Sequence, residues 1–560
     1  MHVVHPPAPR PAPPETLTAA TAAWHAGGRP WLRWAAAGLL GLLLTVPLLA
    51  VRIPLLVDYP NHLARMQVLA TGAGTPALHA MFRITWAFIP NMAMDLLVPP
   101  LAHILPLTVA GKLFIAASIL LPPAGTVALH RAWFGTRSWW PWTAVLAAVS
   151  AFLVYGFLNY LVAVGLALFG AAWHARRTGR GEPGGLALTV AGSAGWGVAC
   201  LLSHIVGFGL LVLLMASTEL GRGLWRGGAM RRLLPLLAAA LVPLALYKAF
   251  GPAHSYTSAG TLGQAVWQVL HLGLLSEPGF RARWLLAGFT GQGTAIGAAA
   301  AALVVLPVAG AALRRRLLVA PGMWLAFLCL CAGYALLPAV LADNAMVYER
   351  LSLPLALVGI AGVQPVLPLV LLRALAVAVV ALVGLRSAAM TRLWSEQAGL
   401  LAQVEAAIAP IPPGARVLAV RDGDSPWHTE ADEPASHRIL RRTVAYQHLP
   451  ALVTLEREAF WPMIFTAAGK QPIALRPPYE QLAQSDGYMP LTRELAPAVT
   501  IPPPPGRCGM VAPEIPCQLW SWPQRYDYLL RFNAHDGPPP DPDHLREVRR
   551  DGWVILYRVQ

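Results

Sequence analysis

Apolar runs long enough to cross a bilayer recur along most of this chain, and short arginine clusters separate them. A spanning α-helix needs about 20 predominantly apolar residues. The runs fall at about 34–51, 109–130, 140–157, 158–175, 185–201, 204–220, 233–250, 285–312, 321–341, 351–365 and 366–386, which predicts a polytopic α-helical membrane protein of about 11 transmembrane helices. Gln364-Pro365 either kinks one helix or separates the last two. With 56% hydrophobic and 12% charged residues, the 560-residue chain carries too few charges for a soluble protein of its length.

The net charge of +15 is no sign of nucleic-acid binding, because the arginines sit in short loops between apolar runs. Four clusters fall on the side of the N-terminus: Arg131 with Arg137; Arg176, Arg177 and Arg180; Arg222, Arg226, Arg231 and Arg232; and Arg314 to Arg316. The positive-inside rule then places the N-terminus in the cytoplasm and the C-terminus outside a bacterial inner membrane. The Pro/Ala-rich residues 1–30 read as a disordered cytoplasmic arm, residues 31–386 as the transmembrane domain with a first outer loop at 52–108, and residues 387–560 as a soluble periplasmic α/β domain. In that last region 395–409 reads as an amphipathic helix, 415–420 and 526–532 as strand-like runs, 541–552 as helix and 553–559 as a final strand. In the first loop, helical patterns around 62–70 and 92–105 are too short or too polar to span, and are expected to lie along the membrane surface.

Chemistry concentrates in DYPNHLAR, Asp58 to Arg65, just beyond the first apolar run. Asp58, His62 and Arg65 stand at i, i+4 and i+7, so a helix starting near Pro60 lines them along one face, with Asn61 beside them. The plainer alternative is that Asp58 caps this helix and Arg65 snorkels to lipid headgroups. Other outward cations are Arg281, Arg283 and Arg350; Arg350 either meets an anionic partner or pairs with Glu349 or Asp343. Asn159 and His204, at helix ends, are candidates to line an acceptor cavity. Cys508 and Cys517 are spaced so that a disulfide is possible, two free thiols being the alternative. Asp422-Gly423-Asp424 has the Asp-x-Asp form but reads as a polar turn, and no metal site is expected.

An acidic motif directly after helix one, helices within the first outer loop, many further spans and an outer C-terminal α/β region together resemble the GT-C superfamily of membrane glycosyltransferases, nearest the protein mannosyltransferase and aminoarabinose transferase group. The resemblance covers nearly the whole chain. It implies Asp58 as the catalytic acid-base residue, with His62 to orient it or share the proton and Arg65, Arg281, Arg283 and Arg350 as candidates to stabilise the departing lipid phosphate, a polyprenyl-phosphate sugar as co-substrate with no other cofactor, membrane lipid as surroundings, and an envelope glycan, lipid or protein as acceptor. Asp58 is followed by Tyr59 where the family pattern has a second acid, and the next carboxylate in the loop is Asp95. A transporter or flippase, and a non-catalytic scaffold of the same fold, are the alternative readings; no internal repeat of the transporter kind stands out.

Overall fold

The computed structural model describes residues 30–560 apart from 136–137, 181–184, 224–228, 253–277, 292, 342–343, 441–442, 468, 485–486, 504–514 and 535–536. The N-terminal arm, Asp343 and Cys508 lie outside the described residues. The chain opens with α1 (Pro30–Thr45) and a 3-10 turn, followed in the first loop by α2 (Tyr59–Thr71) and α3 (Ala93–Ala102). The membrane region continues with α4 (Leu107–Phe134), α5 (Leu158–Arg180), α6 (Gly185–Ser203), α7 (Ile205–Gly221), α8 (Ala229–Phe250), α9 (Pro278–Leu285), α10 (Thr294–Leu313), α11 (Met323–Leu336), α12 (Ser352–Gly362) and α13 (Leu369–Ile408).

Among the described residues six helices are long and apolar enough to cross a membrane: α4, α5, α6, α8, α10 and α13. The other apolar runs form shorter helices, so the expected count of about eleven spans is not reproduced by length alone. The run at 140–157 folds as a 3-10 segment, Trp140–Ala147, and a five-residue helix, Ala151–Tyr155, instead of one spanning α-helix. Gln364-Pro365 separates two helices: Val363–Pro365 pairs antiparallel with Leu317–Val319 before α13 begins.

The break between the 3-10 segment and the short helix leaves carbonyls without helical partners, and such groups cannot be left bare in an apolar interior. Arg386, buried on α13, answers them: its guanidinium donates to the Leu146, Val149 and Phe289 carbonyls, the second at 3.0 Å. Arg386→Leu takes a donor from all three carbonyls, of which Val149 O keeps a bond from Gly291 N–H at 3.1 Å, and is expected to cost about 2–3 kcal/mol. A fall in the thermal midpoint of the detergent-solubilised protein measures it, and an unchanged midpoint would mean the carbonyls are satisfied elsewhere.

Helix α13 runs for 40 residues, roughly 60 Å at 1.5 Å per residue, so the expected domain boundary at 386/387 falls inside one unbroken helix. Its buried positions Val379, Val383, Arg386, Met390, Trp394, Gln397, Leu401, Val404 and Ile408 repeat at three- and four-residue steps, one continuous stripe from the membrane region into the C-terminal region. The predicted helix at 395–409 is the end of α13. Beyond it a four-stranded sheet forms from β1 (Val417–Arg421), β2 (Tyr528–Phe532), β3 (Leu545–Asp551) and β4 (Val554–Val559), in the order β3-β4-β2-β1. Strands β1 and β2 are parallel, while β2, β4 and β3 are antiparallel neighbours. The helix expected at 541–552 is thus corrected to strand β3 and its turn. Cys517 is disulfide-bonded.

The first loop is knitted into the C-terminal region rather than spread on the membrane surface. Phe82–Ile84 pairs antiparallel with Ile473–Leu475, and Arg52 bridges Glu405 on α13 and Glu456, the latter at 2.8 Å. Helix α2 buries Tyr59 through Met66 without a break, so it is an internal strut, not an interfacial helix. Helix α3 keeps Leu96 and Leu97 exposed while burying Asp95.

Candidate active site

Asp58 stands at the N-cap of α2, but its side chain makes no capping bond. Its position comes from the turn that ends the short helix Ala151–Tyr155: Asp58 N–H donates to Tyr155 O at 3.1 Å, and Val57 N–H to Val154 O at 3.0 Å. Gly156 follows with φ +86°, a conformation that disfavours a side chain, and a Cβ there would meet Asp58 N at 3.0 Å. The Asp58 side chain keeps 21% of its exposure, enough for a substrate atom to reach it. Burial pushes its carboxyl up to about 7, with Arg350 and Arg65 pulling the other way.

The nearest titratable partner of Asp58 comes from the far end of the sequence. His448 Nε2 lies 3.5 Å from Asp58 Oδ1. Its tautomer follows from Asn61, whose Oδ1 accepts from Phe465 N–H at 2.9 Å and whose Nδ2 donates to Met463 O at 2.8 Å and to His448 Nδ1 at 3.0 Å. Since Nδ1 accepts, the proton sits on Nε2 and faces the carboxylate. Burial holds the His448 imidazole down at about 3, so it is neutral and serves as a hydrogen-bond donor.

His62 does not share that arrangement. Its backbone N–H donates to Asp58 O, its ring packs 5.3 Å from Phe465, and its buried Nδ1 has no partner among the described residues. Burial, then Arg65 and His448, hold it well below the ordinary imidazole range. Arg65 points into the core: Nε and Nη2 donate to the two oxygens of Asp95 at 2.7 and 2.9 Å, with both side chains fully buried. The reading of Arg65 as a headgroup or phosphate ligand is therefore corrected to a buried tie between α2 and α3, from which its charge still reaches Asp58.

Arg350 is the expected cation that the fold brings to Asp58, and the two charges act on one another. Its guanidinium lies 4.5 Å over Phe157, its Nη1 faces His204 Nε2 at 3.3 Å, and Tyr160 Oη donates to its carbonyl at 2.5 Å. Its Nε is buried and finds no acceptor among the described residues. His204 caps α7, its Nδ1 accepting from Val206 N–H at 3.1 Å, which puts the ring proton on Nε2; it stands beside Arg350 at the site without accepting a hydrogen bond from it. Glu349, expected as a possible ion-pair partner of Arg350, instead buries its carboxylate beside Tyr348, and burial raises it to about 7.

The remaining candidates lie elsewhere. Asn159 spends its side chain on backbone, donating to Asn91 O at 2.7 Å and accepting from Met94 N–H at 2.8 Å. It fixes the start of α3 and is not free to line a cavity. Arg281 donates to the Tyr334 and Leu337 carbonyls and lies 4.1 Å over Tyr348. Arg283 is exposed on α9, bonded to Gly279 O. Asp422 of the Asp-x-Asp motif is taken by Arg531 at 2.5 Å, while Asp424 is exposed near Arg493 at 3.5 Å. Among the described residues no group of three or more His, Cys, Asp or Glu side chains is placed to hold a metal ion.

No family model matches the chain, and no curated protein does. Among solved structures it is similar to ArnT from Cupriavidus metallidurans bound to undecaprenyl phosphate, at 13% identity and a TM-score of 0.49, over 95% of this chain and 98% of that one. The apo state of the same ArnT matches at 13% identity and a TM-score of 0.42, over 92% and 95%. The arabinofuranosyltransferase AftD from Mycobacteria matches at 18% identity and a TM-score of 0.42, over 95% of this chain and 40% of that one. ArnT and AftD are GT-C glycosyltransferases. Similarity at this level says nothing of substrate.

Proposed function

We propose that the chain is a glycosyltransferase that moves a sugar from a polyprenyl-phosphate donor to an envelope acceptor at the outer face of the inner membrane, with its C-terminal region in the periplasm. The observation that carries this reading is a carboxylate raised to about 7 and still reachable, with a cation beside it whose Nε edge is unpaired. A base works best with a pKa near the working pH, and a leaving phosphate needs a fixed positive charge.

In the proposed step the Asp58 carboxylate accepts the proton of an acceptor hydroxyl as that oxygen bonds to the sugar's anomeric carbon. The bond from that carbon to the phosphate oxygen breaks, and the electron pair leaves with the lipid phosphate, which Arg350 stabilises. His448 Nε2–H orients the carboxylate, and Asn61 holds His448 in the required tautomer. Undecaprenyl phosphate is of the lipid class that this donor would release.

The test is transfer by purified protein in lipid nanodiscs, with a panel of polyprenyl-phosphate sugars and an acceptor extract. Turnover with at least one donor is expected, and none with the soluble nucleotide sugars that a transporter-coupled enzyme would need. Two variants sharpen the assignment. His448→Ala is expected to slow turnover about tenfold to a hundredfold with little change in KM, because it removes orientation and not substrate contact. Arg350→Gln is expected to raise the donor KM and shift the pH profile upward, since Arg350 lowers the pKa of Asp58. A profile that stays in place in Arg350→Gln would separate Arg350 from the reacting carboxylate.

A further inference from the structure

Beyond α13 the large hydrophobic side chains left exposed among the described residues are Trp427 and Val548, and Trp427 keeps 50% of its surface in water. The loop that carries Trp427 is nevertheless fixed, because four successive carbonyls in it are bonded. The buried Arg421 guanidinium, at the end of β1, donates to Ser425 O and to His428 O, the latter at 3.2 Å. Val444 N–H donates to Trp427 O at 3.1 Å. The buried Gln447 amide, oriented with its nitrogen towards Pro426, donates to Pro426 O at 3.3 Å and accepts from Met489 N–H at 2.6 Å. Gln447 thereby ties the Trp427 loop to the Tyr488 loop, and the two rings meet edge to face with centroids 5.7 Å apart. Burial alone would turn the indole inward. A rigid loop that holds it in water instead presents a preorganised aromatic contact, which binds a ligand at low cost in conformational entropy.

The aromatic pair is joined to the Asp58 site. Gln447 directly precedes His448, whose Nε2 faces Asp58, and Ala445 packs with Val57, the residue before Asp58. Three residues before Trp427, Asp424 exposes its carboxylate, and the exposed Arg493 donates to Asp424 O at 2.9 Å. The pair of side chains thus offers acceptors and donors together. Beside the electron-rich face of an indole, that combination matches a sugar ring, whose hydroxyls both donate and accept and whose C–H face lies flat on an aromatic. A lipid surface fits less well, since an exposed carboxylate this near the ring is costly to take into a bilayer. On the reading of the chain as a sugar transferase, we propose that Trp427, Tyr488, Asp424 and Arg493 form a subsite for a glycan segment of the acceptor, which it holds beside the Asp58 site and away from the reacting hydroxyl.

Binding is measured without donor, which keeps its outcome separate from that of the transfer assay. The full protein in phosphatidylcholine nanodiscs is titrated with a panel of short oligosaccharides and read by saturation-transfer NMR. The unmodified chain is expected to bind at least one of them. Trp427→Ala is expected to weaken that binding at least about tenfold, and Trp427→Phe to recover part of it, because a smaller aromatic face remains. Asp424→Ala, at an exposed position, is expected to weaken it about threefold to tenfold. In the transfer assay Trp427→Ala should raise the acceptor KM and leave the donor KM in place. Binding to no member of the panel, or binding unchanged in Trp427→Ala, would overturn the proposal. So would tryptophan emission that brominated phosphatidylcholine quenches more in the unmodified chain than in Trp427→Phe, since the ring would then be a membrane anchor. Binding that persists in a chain without turnover would keep the glycan site and overturn only the transferase reading.

Discussion

Asp58→Asn is expected to slow sugar transfer by about 10²–10⁴-fold at pH 7, the usual worth of a general base, while leaving the protein folded. Asparagine keeps the shape and removes a charge that burial already disfavours, so stability should hold or rise. The pH dependence gives a second reading. Asp58 acts deprotonated, and with its pKa at about 7 the rate should climb through pH 6 to 8 and then level. The stability linkage runs the opposite way: a carboxyl raised in the folded state favours folding below its unfolded pKa, and that contribution is lost as pH rises towards 7. Activity and stability should therefore diverge with pH in the unmodified chain, and the divergence should shrink in Asp58→Asn. A folded Asp58→Asn variant with undiminished turnover would remove Asp58 from the chemistry.

The second large effect is expected at the Arg65–Asp95 pair. Both side chains are fully buried and doubly bonded, so Asp95→Asn or Arg65→Met leaves one charge stranded in the interior. Breaking such a pair costs about 3–5 kcal/mol. Either single variant should unfold at a clearly lower temperature in detergent, whereas Arg65→Met with Asp95→Leu should recover much of the loss, since two apolar groups leave no orphan charge. The cycle also separates structure from electrostatics at the site. Arg65 depresses the pKa of Asp58, so the double variant should be stable yet show its activity profile displaced to higher pH. A double variant as unstable as the singles would show that the pair is needed for its geometry and not merely for its neutrality.

Sequence made Asp58 conspicuous because an acid directly after a first membrane run is a local pattern, visible in eight residues. It could not show His448, since nothing in Tyr446-Gln447-His448-Leu449 is distinctive and its partner Asn61 lies 387 residues away. Arg65 was misread for a related reason: an arginine on an amphipathic-looking turn suits headgroups equally well, and only the packing of α3 against α2 reveals Asp95 as its partner. The strand β3 was hidden by charge. In Leu-Arg-Glu-Val-Arg-Arg-Asp, Glu547 and Arg550 stand at helical spacing, whereas in the fold they are on an exposed edge strand whose charges discourage further pairing. The signal that could have corrected it was Asp551-Gly552, where Gly552 takes φ +55° in the tight turn to β4. The 3-10 break after Trp140 is as apolar as a true span, so hydropathy alone did not distinguish it.

The junction of Asp58 with Asn61 and His448 has a consequence for how the protein is made. A ribosome delivers Asp58 early, when the segment around it is open to water and the acid is an ordinary charged one with no unusual affinity for protons. Nearly four hundred residues later the C-terminal region arrives, pairs Ile473–Leu475 with Phe82–Ile84, and sets His448 against the acid. A chain truncated before His448 would carry α1 through α13 and an Asp58 with no imidazole facing its carboxylate.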